Sequence, residues 1–162
     1  MYSITNEPID SNALLQSVSD PHCGATVLFL GSTRQWTKGR ETKWLEYDAY
    51  REMALTEMKR LEEEAMAQWS IRHVALIHRL GKVEIGETSV AVAVGSPHRT
   101  AAFAAGKWLI DELKKQVPIW KKEIFAESEP EWVHPGLPDT TLPITTLPIA
   151  DETKPSEDDL NR

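Results

Sequence analysis

Two long amphipathic segments, set among short apolar runs, most constrain how this chain can fold. Residues 51–69 and 98–116 each carry apolar side chains at helical spacing, with charged residues on the remaining faces. The runs around them are short and rich in β-branched residues or alternate polar with apolar residues, as strands do. The predicted order is strand-strand-helix-strand-strand-helix-strand. It favours an α+β fold with helices on one side of a mainly antiparallel sheet.

The same patterns predict where the other elements begin and end. We predict strands at residues 25–30, 44–50, 73–80, 88–94 and 119–125. A short helix is predicted after Asp10 or Ser11, either of which is a suitable N-cap. Glycines bracket residues 81–86, which we interpret as a hairpin-like connection, whereas residues 32–43 are polar and charged and predict a loop.

The net charge of −7 belongs to the C-terminal quarter of the 162-residue chain. Residues 1–123 hold 16 acidic and 16 basic side chains, whereas residues 124–162 hold nine acidic and two basic ones and six of the ten prolines. We therefore expect a folded domain over residues 1–133 and an extended, Pro-rich acidic tail over residues 134–162. The tail either keeps the protein in solution or lies near a basic pocket until a partner displaces it.

Composition also excludes several classes of protein. The single cysteine, Cys23, forms neither an internal disulfide nor a zinc site built from cysteines, and a buried small residue is a better interpretation of it than a reactive thiol. We expect no metal and no cofactor. The chain has no apolar leader and no run of 18 apolar residues, and its body is neutral, so we expect a cytoplasmic protein that binds neither membrane nor nucleic acid.

Basic residues concentrate at 95–122, a range that contains six basic and only two acidic side chains. His98 and Arg99 follow Pro97 at a predicted helix N-terminus, where free amide groups and the helix dipole favour an anion such as a phosphate. Lys114 and Lys121 flank the turn after that helix. Both features have structural alternatives: lysines at a helix C-terminus are favourable without any function, and the His-Arg pair can be solvated or internally paired.

Helix geometry constrains how these groups can act together. His98 and Lys114 are 16 positions apart on one predicted helix, which is about 24 Å at roughly 1.5 Å per residue. They cannot contact the same small phosphorylated molecule from one chain. If they share a site, that site lies between two copies, and symmetric pairing supplies His98 and Arg99 from the neighbour.

A series of short motifs runs through residues 29–133. They are FLGSTR at 29–34, LEYDAY at 45–50 followed by MA at 53–54, HRLG at 78–81, IGE at 85–87, SPHR at 96–99 followed by AF at 102–103, DELK at 111–114 and PIWKKE at 118–123. Their order and spacing resemble the catalytic (large) subunit of molybdopterin synthase, the MoaE family.

This resemblance implies an α/β hammerhead-type fold and a homodimer that binds a small ubiquitin-like sulfur-carrier subunit at each end, giving a heterotetramer. It implies a sulfurtransferase of molybdenum cofactor biosynthesis. The substrate would be cyclic pyranopterin monophosphate, and the product molybdopterin with its dithiolene. Each sulfur would come from the thiocarboxylate at the carrier's C-terminal Gly-Gly.

The resemblance also implies roles for residues at matching positions. Ser32, Thr33 and Arg34 match a substrate-binding loop, His98 and Arg99 match a pair from the other subunit, and Lys114, Lys121, Lys122 and Glu123 match the rest of the pocket. Lys114 and Lys121 are the expected catalytic residues, with Lys114 first. The lysine can act as an ammonium that stabilises developing negative charge or as a general base. The alternatives are a non-catalytic α+β module that binds a phosphorylated metabolite and a scaffold that acts through the tail.

Overall fold

A computed structural model describes residues 1–126 and 131–133. In chain order the elements are β1 (Tyr2–Thr5), α1 (Ser11–Ser17), β2 (Ala25–Ser32), β3 (Trp36–Thr37), β4 (Arg40–Ala49), α2 (Arg51–Gln68), β5 (His73–Arg79), β6 (Gly81–Glu84), β7 (Thr88–Ser96), α3 (Arg99–Gln116), β8 (Ile119–Phe125) and β9 (Glu131–Val133). The expected tail at residues 134–162 lies outside the described residues, so the division at residue 133 stays a prediction.

The strands form two sheets. The first has the order β1-β5-β7-β2, in which β1 runs parallel to β5 and the other pairs are antiparallel. In the second sheet β4 pairs with β3, β6 and β8, and β8 pairs with β9, all antiparallel. The predicted α+β class with a mainly antiparallel sheet is confirmed.

Alternating residues on the central strands of the first sheet build the core. Val90, Val92 and Val94 of β7 face the two long helices, where they pack with the buried side chains of α2 and α3. The intervening Ala91 and Ala93 face the opposite side, where α1 packs. The two long helices thus share one face as predicted, and small alanines on the other face leave room for the short helix α1.

Two segments that were predicted as connections contain strands, and the short strands β1 and β9 were not predicted. Residues 81–86 were expected to join two strands as a hairpin, but Gly81–Glu84 forms β6 and pairs with β4. The positive φ of Gly81 (77°) turns the chain out of the first sheet, and Val83 is then fully buried. Within the predicted 32–43 loop, β3 and the start of β4 form a hairpin. Lys38 and Gly39 at its turn have positive φ (51° and 77°), as tight hairpins require.

The fold brings three element ends to one corner. The last turn of α3 leads through Val117 and Pro118 into β8, which pairs along β4. The C-terminal end of β5 carries His78, whose ring contacts Tyr47 of β4. Among residues 1–126 and 131–133, no helix combines the length and the apolarity needed to cross a bilayer.

Candidate active site

A buried carboxylate and a lysine lie side by side on β8. Glu123 is only 4% exposed, and its Oε1 accepts a hydrogen bond of 2.5 Å from Thr42 Oγ1 on β4. Lys121 Nζ is 3.5 Å from Glu123 Oε2, as expected for residues i and i+2 on one face of a strand. Burial alone would raise the pKa of Glu123, but hydrogen bonds from Thr42 and Thr37 and the charge of Lys121 hold that pKa below its ordinary range. The Glu123 carboxyl group is therefore ionised.

A buried imidazole and a tyrosine lie next to this pair. His78 is 5% exposed; its Nδ1 is 2.9 Å from the Arg79 carbonyl oxygen, and its ring meets the Tyr47 ring edge-on with centroids 4.9 Å apart. Tyr47 is the direct cross-strand partner of Lys121, so their side chains share a face. Burial and the nearby Glu123 charge raise the pKa of Tyr47 against the effect of a hydrogen bond with Ser89. Tyr47 and His78 thus connect β5 to the lysine on β8.

Lys114 reaches the same cluster from the last turn of α3. Its side chain is exposed, and its positive charge contributes to lowering the pKa of His78. Within the described residues no carboxylate lies at ion-pair distance from Lys114 Nζ. The adjacent Lys115, by contrast, is 2.8 Å from Glu112. The corner therefore holds Lys114 and Lys121 on either side of the Tyr47–His78 contact.

Burial holds the imidazole of His78 neutral. Loss of solvation lowers the pKa of His78 from 6.5 to about 4, assisted by the Lys114 charge and opposed by the bond to the Arg79 backbone. The adjacent Arg79 is bound to Glu87 at 3.0 Å and to the Lys82 carbonyl at 3.1 Å. Arg79 therefore links the end of β5 to β6 and to the turn that follows β6.

This buried histidine predicts a pH dependence of stability. In the unfolded chain His78 becomes protonated near pH 6.5, and in the folded chain only near pH 4. The contribution of the neutral His78 to the free energy of unfolding is therefore complete above about pH 6.5 and is lost as the pH falls. Between about pH 7 and about pH 5 we expect His78 to account for a loss of about 2 kcal/mol in the free energy of unfolding. Urea titrations at both pH values measure it. His78→Gln should reduce the difference by this amount, whereas the exposed His98→Gln should not. An equal difference in His78→Gln would contradict the assignment.

The predicted loop of Ser32, Thr33 and Arg34 begins beside this cluster. Ser89, which contacts Tyr47, donates a 3.1 Å hydrogen bond to the Gly31 carbonyl. The Thr33 backbone is bound to the Gly86–Glu87 turn at both its N–H and its carbonyl. Ser32 and Arg34 are exposed. The Thr33 side chain is buried, and among the described residues its Oγ1 has no hydrogen-bond partner.

His98 and Arg99 lie at the other end of α3. His98 is the N-cap residue, no side chain caps the amide groups of the first turn, and both residues are exposed. Helix α3 has 18 residues, so about 24 Å separate His98 from Lys114 at roughly 1.5 Å per residue. Within one chain the structure does not bring this pair to the lysines.

Lys122 lies on β8 with Lys121 and Glu123, but its side chain does not share their face of the strand. It lies between Lys121 and Glu123 on a regular part of β8, so its side chain projects from the opposite face of the strand. Of the predicted Lys121, Lys122 and Glu123 segment, the structure brings together the first and the last. Substrate contact by Lys122 stays a prediction.

Sequence reasoning missed Thr42, Tyr47, His78 and Ser89 as members of the site. Thr42 and Glu123 are 81 residues apart, and their contact depends on the pairing of β4 with β8. The EYD and HRL motifs contain Tyr47 and His78, so the residues were visible. No sequence signal indicated that their rings touch.

Comparison with known proteins identifies the family. The MoaE protein family model matches residues 4–116, which is more than half of the chain. The chain belongs to the MoaE family. The molybdopterin synthase catalytic subunit of Bacillus subtilis (strain 168) is 39% identical over 142 residues, covering 88% of this chain and 90% of the relative. Membership of the MoaE family places the chain among the catalytic subunits of molybdopterin synthase, an enzyme of molybdenum cofactor biosynthesis.

Solved structures agree with this family. Molybdopterin synthase from Staphylococcus aureus aligns with a TM-score of 0.76 and 37% identity over 80% of this chain and 94% of that one. A protein-protein complex of subunits 1 and 2 of molybdopterin-converting factor from Helicobacter pylori 26695 aligns with a TM-score of 0.66 over 78% of this chain and 86% of that one. At 22% identity the second likeness concerns the fold alone. Together they confirm the fold class that the MoaE resemblance implied.

Proposed function

We propose that this chain transfers sulfur from the C-terminal thiocarboxylate of a small ubiquitin-like carrier to cyclic pyranopterin monophosphate, forming the dithiolene of molybdopterin. The observation that carries this proposal is that Lys114 and Lys121 lie on either side of the buried Tyr47–His78 contact, with the ionised Glu123 carboxylate beside Lys121. Both reactants are anions, and a lysine pair is suited to binding anionic groups.

The overall chemistry explains why no nucleophilic cysteine is required. In each transfer the carrier's thiocarboxylate sulfur forms a bond to a substrate carbon while the bond from that carbon to its oxygen substituent breaks. The bond between the sulfur and the carrier's carbonyl carbon then breaks. Water supplies the oxygen that leaves the carrier with an ordinary carboxylate. The sulfur arrives on the carrier, so the chain itself has to bind, orient and stabilise charge.

The two lysines have different surroundings, which favours different roles. Lys121 is held by Glu123 on a rigid strand, so it is suited to anchoring an anionic group of the substrate. Lys114 is exposed at a helix end and makes no ion pair among the described residues. The neutral imidazole of His78 adds no second positive charge next to Lys114. We therefore assign charge stabilisation or proton transfer during C–S bond cleavage to Lys114, and substrate positioning to Lys121.

The phosphate side of the substrate requires a second copy of the chain. His98, Arg99 and the uncapped first turn of α3 supply donors for an anion, but they lie a helix length from Lys114 in the same chain. Phe103 lies one turn beyond Arg99 and is 65% exposed, as an apolar side chain at a subunit interface would be in an isolated chain. A symmetric homodimer would bring His98 and Arg99 to the partner's lysine corner.

The 32–34 loop completes the proposed pocket from the same chain. Arg34 is exposed beside it and can contact an anionic group, whereas Thr33 fixes the loop through its backbone hydrogen bonds to Gly86 and Glu87. The partner is proposed to be a small carrier ending in Gly-Gly, in a heterotetramer with two carriers. The Helicobacter pylori complex of subunits 1 and 2 is consistent with such an assembly. We also propose that the reaction takes place in the cytoplasm.

Reconstitution tests the proposal directly. The purified chain is incubated with thiocarboxylated carrier and cyclic pyranopterin monophosphate, and dithiolene product is followed by its conversion to a fluorescent oxidised pterin. Product is expected with thiocarboxylated carrier and not with carrier that ends in an ordinary carboxylate. A folded protein that binds both reactants and forms no product would instead support the alternative, a non-catalytic module for a phosphorylated metabolite.

A further inference from the structure

Asp20, Cys23 and His73 bring three different metal-binding groups together, away from the lysine corner. A carboxylate oxygen, the thiol sulfur and a ring nitrogen all lie within 4.8 Å of one another, and His73 Nε2 is 3.3 Å from Asp20 Oδ2. All three side chains are half-buried. His73 begins β5 and His78 lies five positions later, so about 17 Å separate the two histidines at roughly 3.3 Å per residue.

The backbone around these residues holds the groups in place. Asp20 Oδ1 accepts a 2.7 Å hydrogen bond from the His22 N–H, and the Asp20 carbonyl accepts one of 2.9 Å from the Cys23 N–H. This closed turn directs the other carboxylate oxygen toward His73. An outer hydrogen bond of this kind orients a ligating carboxylate in metal sites.

A glycine allows the thiol to approach the histidine. Gly95 is the cross-strand partner of His73, and Cys23 Sγ packs over it. A Cβ at position 95 would lie 3.2 Å from this sulfur and would collide with the carbonyl oxygen of Val18. The close approach of the 18–23 turn to the sheet therefore depends on the absence of a side chain at position 95.

We propose that Asp20, Cys23 and His73 bind one Zn²⁺ ion, with solvent in the fourth position. Sulfur, imidazole nitrogen and carboxylate oxygen are the donors that zinc takes, and tetrahedral coordination needs only a small contraction of the cluster. The thiol proton leaves to solvent as the Zn–S bond forms, and no redox change occurs.

The ion would connect two parts of the fold that are remote in sequence. It would tie the turn after α1 to the start of β5, beside the segment that leads into α3, because Gly24 packs against the Pro97 carbonyl. The site revises the expectation of no metal. Cys23 and His73 are 50 residues apart and form no recognisable ligand spacing, so only the fold reveals the cluster.

Cobalt and zinc titrations of the full chain, freed of metal with a chelator, test the proposal. Co²⁺ should bind at one equivalent with a thiolate-to-metal charge-transfer band, Zn²⁺ should displace it, and Tm should rise until one equivalent of Zn²⁺ is bound. Cys23→Ser should remove the charge-transfer band. Cys23→Ser and His73→Gln should each weaken Zn²⁺ binding by more than the roughly 10–100-fold that follows loss of an outer-shell partner.

His22→Gln is the matched control, because the exposed His22 side chain makes no hydrogen bond or ion pair to the cluster and only its backbone N–H donates to Asp20. Its metal affinity and spectrum should match those of the wild type. Circular dichroism of the metal-free variants confirms that they fold. If Cys23→Ser does not fold, the loss of Zn²⁺ affinity in His73→Gln tests the proposal on its own. Failure to bind one equivalent, an unchanged band in Cys23→Ser, or an equal loss in His22→Gln would overturn the assignment.

Discussion

Lys114→Ala is expected to lower the rate of dithiolene formation in a single turnover by roughly 10²–10⁴-fold, the range typical of a group that transfers a proton or stabilises charge. The affinity for the cyclic substrate should change much less. Lys114 stands at the corner where β8, β4 and the end of α3 meet. Its charge acts on the neutral imidazole of His78, and it makes no ion pair among the described residues. Rapid-quench kinetics with saturating carrier separates the rate from binding.

Two neighbouring lysines provide the controls for this result. Lys115 is adjacent in sequence but is paired with Glu112, so Lys115→Ala should react at nearly the wild-type rate. Lys121→Ala should raise the substrate dissociation constant more than it lowers the rate, because Glu123 holds Lys121 as a positioned cation. If Lys114→Ala retained most of its single-turnover product and lost only substrate affinity, the division of roles between the two lysines would be wrong.

Mixing two inactive variants is expected to restore activity. If Arg99 acts in the partner's site, both sites of a Lys114→Ala dimer lack Lys114, and both sites of an Arg99→Ala dimer lack Arg99. A mixed dimer has one site with both groups intact and one with neither. Random pairing makes half of the dimers mixed, so about a quarter of wild-type activity should return. Co-expression of the two variants with different tags, followed by activity measurement, tests this.

The control for this experiment is a mixture of Lys114→Ala with Lys121→Ala. These lysines belong to the same chain's corner, so every site in a mixed dimer still lacks one of them, and the activity should not rise above that of the separate variants. If mixed dimers form but neither mixture recovers activity, each site lies within a single chain. That result would also contradict the inference drawn from the length of α3.

The periodic parts of the fold were predictable because periodicity reports burial directly. The sequence predicts helices at 51–69 and 98–116, and the structure has α2 at Arg51–Gln68 and α3 at Arg99–Gln116. β1 carries only four residues, and β6 pairs outside the expected hairpin. Both depend on partners far along the chain, which local patterns do not contain.

The site was predictable as a set of charged residues but not as an arrangement. Lys114 and Lys121 could be placed near one corner because a two-residue connection joins their elements. The buried Thr42–Glu123 hydrogen bond and the Tyr47–His78 ring contact depend on strand register and on the crossing of two sheets. His98 and Arg99 are separated from the lysines by rigid helix length, which the sequence alone already indicates.

The most direct test of the proposed sulfur transfer is the stoichiometry of a single turnover. The chain is mixed with excess thiocarboxylated carrier and limiting cyclic pyranopterin monophosphate. Intact-mass analysis then counts carriers whose C-terminal sulfur has been replaced by oxygen, while the pterin product is quantified in parallel. The account predicts two converted carriers for each dithiolene formed. Carrier that keeps its sulfur while bound to a folded, substrate-loaded protein would contradict it.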